Sequence, residues 1–234
     1  MHIRRRPDHS TPLFLKRTLA AQLHALGGAA MIAGAYVLLP LAEKAGVVHF
    51  WACLSFLVTG ITVFMVSSTY HFLTDGFEGS EELHLFFENL DHFSIYLFIA
   101  GTYTPFLMNA VSKPWQIPLL IGIWVVAILG IAYTWSKPSL PELLQRRGVY
   151  TSIFVAMGLM LLVRMGEITT RLSTPRLSLL VGGGVAYIVG AVFYATRRPK
   201  LFEGVFGFHE LWHLMVLLGA GLHYLLIFSF YSAI

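Results

Sequence analysis

The chain carries little charge. Of its 234 residues only 12% are Asp, Glu, Lys or Arg, while 56% are hydrophobic, against about 25% charged in an ordinary soluble domain. Too few polar side chains are present to cover a water-soluble globule, so the sequence reads as an integral membrane protein. It also holds one cysteine, Cys53, which excludes an intrachain disulfide framework and leaves the fold to helix packing. Inside an apolar run, Cys53 reads as a small buried hydrophobe. No polar stretch is long enough to form a soluble domain. The net charge of +4 suits nucleic acid in principle, but the sixteen Lys and Arg are scattered between apolar runs. There they set topology, and nucleic acid is not an expected partner.

What the sequence does have is seven apolar stretches of about the 17 to 25 residues needed to cross a bilayer as helix. They run near Leu19 to Leu41, Val47 to Leu73, Leu85 to Ala110, Ile117 to Trp135, Val149 to Met165, Leu177 to Thr196 and Val205 to Ile234. Turn and breaker residues separate them, including Glu43-Lys44-Ala45-Gly46, Thr74-Asp75-Gly76, Lys113-Pro114, Lys137-Pro138, Pro175 and Arg198-Pro199. The first stretch follows Arg4, Arg5 and Arg6 and contains Ala33-Gly34-Ala35, which resembles a cleavage site. It is too long for a secretory core and six spans follow it, so it reads as an anchored first helix. The expectation is an all-α, seven-transmembrane helix bundle over 19–234, preceded by a basic cytoplasmic segment, 1–18.

With the N-terminus inside, eleven Lys and Arg fall on the inner side (Arg4, Arg5, Arg6, Lys16, Arg17, Lys137, Arg146, Arg147, Arg197, Arg198, Lys200). Five fall outside (Lys44, Lys113, Arg164, Arg171, Arg176). The positive-inside rule therefore predicts a cytoplasmic N-terminus and an outside C-terminus in a cell membrane, although the fifth connection is unusually basic.

That topology gathers polar residues from distant parts of the chain. Span 2 ends inside with Ser67 and His71, span 3 begins inside with Glu88, Asp91 and His92, and span 7 begins inside with His209, Glu210 and His213. Ionisable groups within a span are costly and face the bundle interior or a cavity. His209 and His213, four apart, share one helix face and can direct two imidazoles at one ion. His71 supplies a third nitrogen, which gives the three-ligand, open-position pattern of catalytic zinc. Ser67 lies one turn before His71, and Asp91 is placed either to hydrogen-bond a bound water or to orient a ligand. A histidine pair alone is more often bonded to carbonyls than to metal, and the convergence of His71 and Asp91 shifts the balance to metal.

"HELWH" (209 to 213) also spells the pattern of zinc proteases, with Glu210 as general base. Only three of its five positions are fixed. Glu210 is also displaced roughly 100° around the helix from His209, which points it toward the cytoplasmic rim. Gly182-Gly183-Gly184 is a small-residue packing site rather than a phosphate loop, and Trp51, Trp115 and Trp135 suit the interfacial aromatic belt. His223 lies roughly 15 Å from His213 along the helix, and His49 lies toward the outer side.

The blocks "SSTYH" (67 to 71), "LDHFSIYLFIAGTYTP" (90 to 105) and "HELWH" resemble, in this order, the signature blocks of the hemolysin III family. This is the bacterial branch of the progestin and adipoQ receptor (PAQR) proteins. The resemblance implies seven spans with the N-terminus in the cytoplasm and zinc near the inner leaflet, with His71, His209 and His213 as ligands. It also implies Asp91 as the water-holding acid and Ser67 as the motif serine. One block departs: where the family's first helix carries E-x-x-N-x-x-x-H, this chain has Arg17, Ala20 and His24. His24 then either reaches the site or is structural. The function expected is zinc-dependent hydrolysis of a membrane lipid amide or ester. The alternatives are a non-enzymatic sensor or regulator with a structural zinc closed by Asp91 or His92, with haemolysis (cytolysis) a secondary effect, and a membrane protease.

Overall fold

The structure, a computed structural model, describes residues 19–76, 80–202 and 206–232. The basic segment 1–18, with Arg17, and Val205, Ala233 and Ile234 of the seventh expected span lie outside the described residues. Without water to satisfy the backbone, apolar segments at membrane depth fold as helices that pair their own amides. The described chain forms nine α-helices: α1 (Leu19–Ala45), α2 (Val47–Gly76), α3 (Glu81–Ala110), α4 (Lys113–Ser136), α5 (Glu142–Gln145), α6 (Arg147–Leu159), α7 (Met165–Arg171), α8 (Thr174–Thr196) and α9 (Phe208–Tyr231). Six segments are long and apolar enough to cross a membrane: α1, residues Val47–Leu73 of α2, α4, the α6–α7 stretch, α8 and α9. The expected third span is α3, 30 residues long. Its Tyr, Thr and Asn residues make it less apolar than the rest, and it lies between α2 and α4, with Ser94, Tyr96 and Ala100 fully buried. A helix enclosed by others can carry polar groups that a lipid-facing one cannot.

The outward surface is apolar, with Leu26, Tyr36, Val58, Ile128, Val163 and Val192 exposed, as expected for faces that meet lipid. Trp51, Trp115 and Trp135 are exposed as well. Two apolar clusters fill the interior. One joins α1, α2 and α9 through Leu38, Phe56, Phe64 and Ile227, and the other joins α3, α4, α6 and α7 through Tyr96, Ile123, Met157 and Ile168. Gly46 links α1 to α2 at φ +120°, a conformation that a side chain strongly disfavours.

The fifth span departs from the single helix expected over Val149 to Met165. A 3₁₀ turn over Met160–Arg164 interrupts it, and the helix resumes as far as Arg171. Breaks at this depth are tolerated where freed backbone groups find partners or line a cavity. Here the Tyr103 hydroxyl donates toward the Met157 and Gly158 carbonyls, at 3.0 and 2.8 Å, and accepts from the Leu161 N–H at 3.1 Å. The basic fifth connection is explained as well: Arg164 and Arg171 both pair with Glu167, at 2.6 and 3.4 Å, and Arg176 donates to Ser229 Oγ at 3.1 Å. Before α9, a short antiparallel ribbon pairs β1 (Lys200–Phe202) with β2 (Phe206–Gly207), where the sequence suggested only a breaker followed by a span from Val205.

Candidate metal centre

Two helices supply the three histidines of the centre. His71 sits in the last turns of α2, and His209 and His213 sit in the first turns of α9, one above the other on the face turned toward α1 and α2. His71 and His213 are buried and His209 is half-buried. The Nε2 of His209 lies 3.4 Å from His71 Nε2 and 2.9 Å from His213 Nε2. One ligand nitrogen from each of the three falls within 4.8 Å of the others. Zinc–nitrogen bonds of 2.0 to 2.1 Å in tetrahedral geometry set ligand nitrogens about 3.3 to 3.4 Å apart. The first spacing matches that value, and the second matches after an opening of roughly half an ångström. The trio could therefore hold a metal ion.

Asp91 does not join the three nitrogens, and Ser67 lies one turn before His71 on α2. Both line a cavity of about 150 Å³, together with His24 and His213. That is far more than the roughly 10 to 15 Å³ one water needs, and most of the remaining wall is apolar, with Phe98, Ile188 and Val216 among its residues. The interrupted fifth span contributes Gly158, Leu159 and Leu161 to the same wall. The cavity thus runs from the histidines into the middle of the bundle and passes His223, whose Nε2 faces the Leu180 carbonyl at 3.2 Å.

His92, weighed as a fourth ligand, is turned elsewhere. Its Nδ1 faces the Glu88 carbonyl at 2.7 Å and its ring meets Tyr150 edge-on at 4.5 Å. Glu210 is occupied too, since its Oε2 accepts the Gly207 N–H at 2.7 Å. This closes the start of α9 from the third helical position, as a carboxylate at a helix N-terminus does, and a glutamate three residues past a glycine was the legible sign of it. His49 faces the Tyr231 hydroxyl at 3.2 Å, away from the centre.

His24, which the sequence left between a site role and a structural one, touches the centre. Its Nε2 lies 2.7 Å from His213 Nδ1. The signal was the buried stripe of α1, Ala20, Ala21, His24, Gly27, Gly28 and Met31, whose three- and four-residue spacing marks one inward face.

Residues 14–224 match the family described as "Haemolysin-III related". The chain belongs to the haemolysin III family. It is 32% identical over 215 residues to Hemolysin-3 of Bacillus cereus, covering 89% of both chains. To the Hemolysin-3 homolog of Bacillus subtilis it is 29% identical over 175 residues, 73% of this chain and 74% of that one. The adiponectin receptor protein of Drosophila melanogaster is 32% identical over 160 residues, 62% of this chain but 35% of the receptor. These relatives place the haemolysin III chain within the PAQR superfamily as a multi-pass membrane protein.

Proposed function

We propose that this haemolysin III protein is a zinc-dependent hydrolase of a membrane lipid amide or ester. In this reading α3 is a seventh span, the N-terminus is cytoplasmic, and the histidines lie near the inner leaflet of a bacterial cell membrane. The Lys137 and Arg147 side chains at the ends of α4 and α6 support that orientation, because they approach the inner ends of α3 and α8 through Glu88 and Tyr194. The observation that carries the proposal is the separation of roles at the centre. Three nitrogens converge, while Asp91 lies outside their set and lines the adjoining cavity. A structural zinc takes a fourth protein ligand, whereas a catalytic one keeps a position open.

His71, His209 and His213 would hold the ion through Nε2. When bound, it supplies Lewis acidity toward the scissile carbonyl and its developing oxyanion. The Asp91 carboxylate takes a proton from the attacking water and returns it to the departing amine or alkoxide. Ser67, buried and lining the same cavity, orients the carboxylate or the water. The apolar wall around Phe98 and Ile188 receives the acyl chain, which enters sideways from the inner leaflet. Glu210 takes no part, because the start of α9 engages its carboxylate.

The test is hydrolysis of lipid amides and esters by the purified zinc-loaded protein, with Asp91→Asn and Glu210→Gln alongside. The reading expects activity in wild type and Glu210→Gln, and a loss of about 10² to 10⁴-fold in Asp91→Asn. Peptide hydrolysis abolished only by Glu210→Gln would overturn it.

A further inference from the structure

The geometry points to His24 as a positioning residue, which fixes the proton of His213 on Nδ1 so that His213 offers its Nε2 lone pair to a metal ion. This rests on the metal centre proposed above. The two nitrogens of His213 face opposite ways: Nε2 toward His209 at 2.9 Å, and Nδ1 toward His24 Nε2 at 2.7 Å. The two rings stand nearly perpendicular, at 88°, with centroids 4.2 Å apart.

A neutral imidazole carries one proton, on one nitrogen or the other. For His213 to bind an ion through Nε2, the proton must sit on Nδ1 and be donated to His24. His24 then accepts through Nε2, and its own proton is confined to Nδ1. The opposite arrangement, with His24 donating, drives the His213 proton onto Nε2. There it occupies the space between the three ligands and excludes a cation.

A second observation agrees. His24 is 3% exposed, and its Nδ1 is buried with no hydrogen-bond partner among the described residues. A buried polar group left unpaired is destabilising. The position adjoins the Phe64 ring, edge-on at 5.3 Å, where an apolar side chain would avoid that cost. What the histidine adds over an apolar residue is the acceptor at Nε2. Metal-ligating histidines usually donate to a carboxylate, carbonyl or water, and here a second imidazole from α1 takes that place. Its position is firmly set. One turn on, a Cβ at Gly27 would meet Leu217 Cδ2 at 2.6 Å and Phe64 Cδ1 at 2.8 Å, so α1 lies close against α2 and α9. Ser68 Oγ further ties α2 to the Ala21 carbonyl at 2.9 Å.

The experiment compares His24→Gln, His24→Phe and His24→Leu in the full chain in detergent. Zinc affinity is read by competition with a chromogenic chelator, and the melting temperature is read on the metal-free protein. A Gln side-chain carbonyl can accept the His213 proton, whereas Phe and Leu only fill space. The expected result is a 10 to 100-fold weaker zinc affinity in Phe and Leu, affinity within a few-fold of wild type in Gln, and metal-free melting in Phe or Leu no lower than in Gln. Wild-type affinity in both Phe and Leu, or an equal loss in Gln, overturns the role of His24 and leaves the metal centre standing. A wild-type protein that takes up no zinc overturns both.

Discussion

His71 and His209, 138 positions apart in the chain, bring their Nε2 atoms to 3.4 Å of one another. For two imidazoles sharing a proton this is a long contact, while for two ligands of one tetrahedral ion it is the expected separation. An ion held there joins α2 to α9 and stabilises the folded chain alone. Free zinc at 100 times its Kd then adds about 2.7 kcal/mol. Chelation is expected to lower the melting temperature of wild type and re-addition of zinc to restore it. His71→Ala should melt at the same temperature with and without chelator.

Glu210 and Asp91 are expected to separate stability from chemistry. Glu210→Ala removes the acceptor of the Gly207 N–H and should cost about 1 kcal/mol of stability, with turnover and zinc content nearly unchanged. Asp91→Asn should do the reverse, keeping zinc and melting behaviour while turnover falls. Parallel melting curves and rate assays on the two variants provide the check.

Tyr103 holds the break in the fifth span together. Tyr103→Phe leaves the Leu161 N–H without its acceptor and removes the hydroxyl donor from the Met157 and Gly158 carbonyls, of which Met157 keeps the Met160 N–H. An orphaned buried group costs about 1 to 3 kcal/mol. The variant should melt earlier, and hydrogen exchange should rise first around Leu161. Exchange unchanged there would show that the hydroxyl is not what satisfies the break.

Ala191, buried in α8, lines the cavity. Ala191→Phe is expected to fill the space that receives the acyl chain. Overfilling a packed site costs about 1 to 3 kcal/mol, so some stability is lost as well. Hydrolysis should fall at least tenfold for long-chain substrates and less for short-chain ones, with zinc content unchanged. An equal loss for both chain lengths would place the acyl chain elsewhere.

Much of this was legible in the sequence, because hydrophobic length and i, i+4 spacing are local signals. The ends of α1, α2 and α8 follow from breakers at Gly46, Gly76 and Pro199, and the histidine trio follows from spacing together with topology. The interruption at Met160–Arg164 was not legible. Its residues are as apolar as a helix, and its partner, the Tyr103 hydroxyl, belongs to another span. The strand pairing of Lys200–Phe202 with Phe206–Gly207 escaped for a similar reason, since Val205 reads as the start of a span. His24 was ambiguous because the acid and amide expected ahead of it are replaced by Arg17 and Ala20. Only the packing of α1 against α9 shows that the histidine faces His213.

The most direct test of the central claim is the metal content of the purified protein, by elemental analysis, for wild type and for His71→Ala, His209→Ala and His213→Ala. The account predicts one zinc per wild-type chain and a large loss in each variant. Full zinc retained in His71→Ala would contradict it, because α2 would then contribute nothing to the centre.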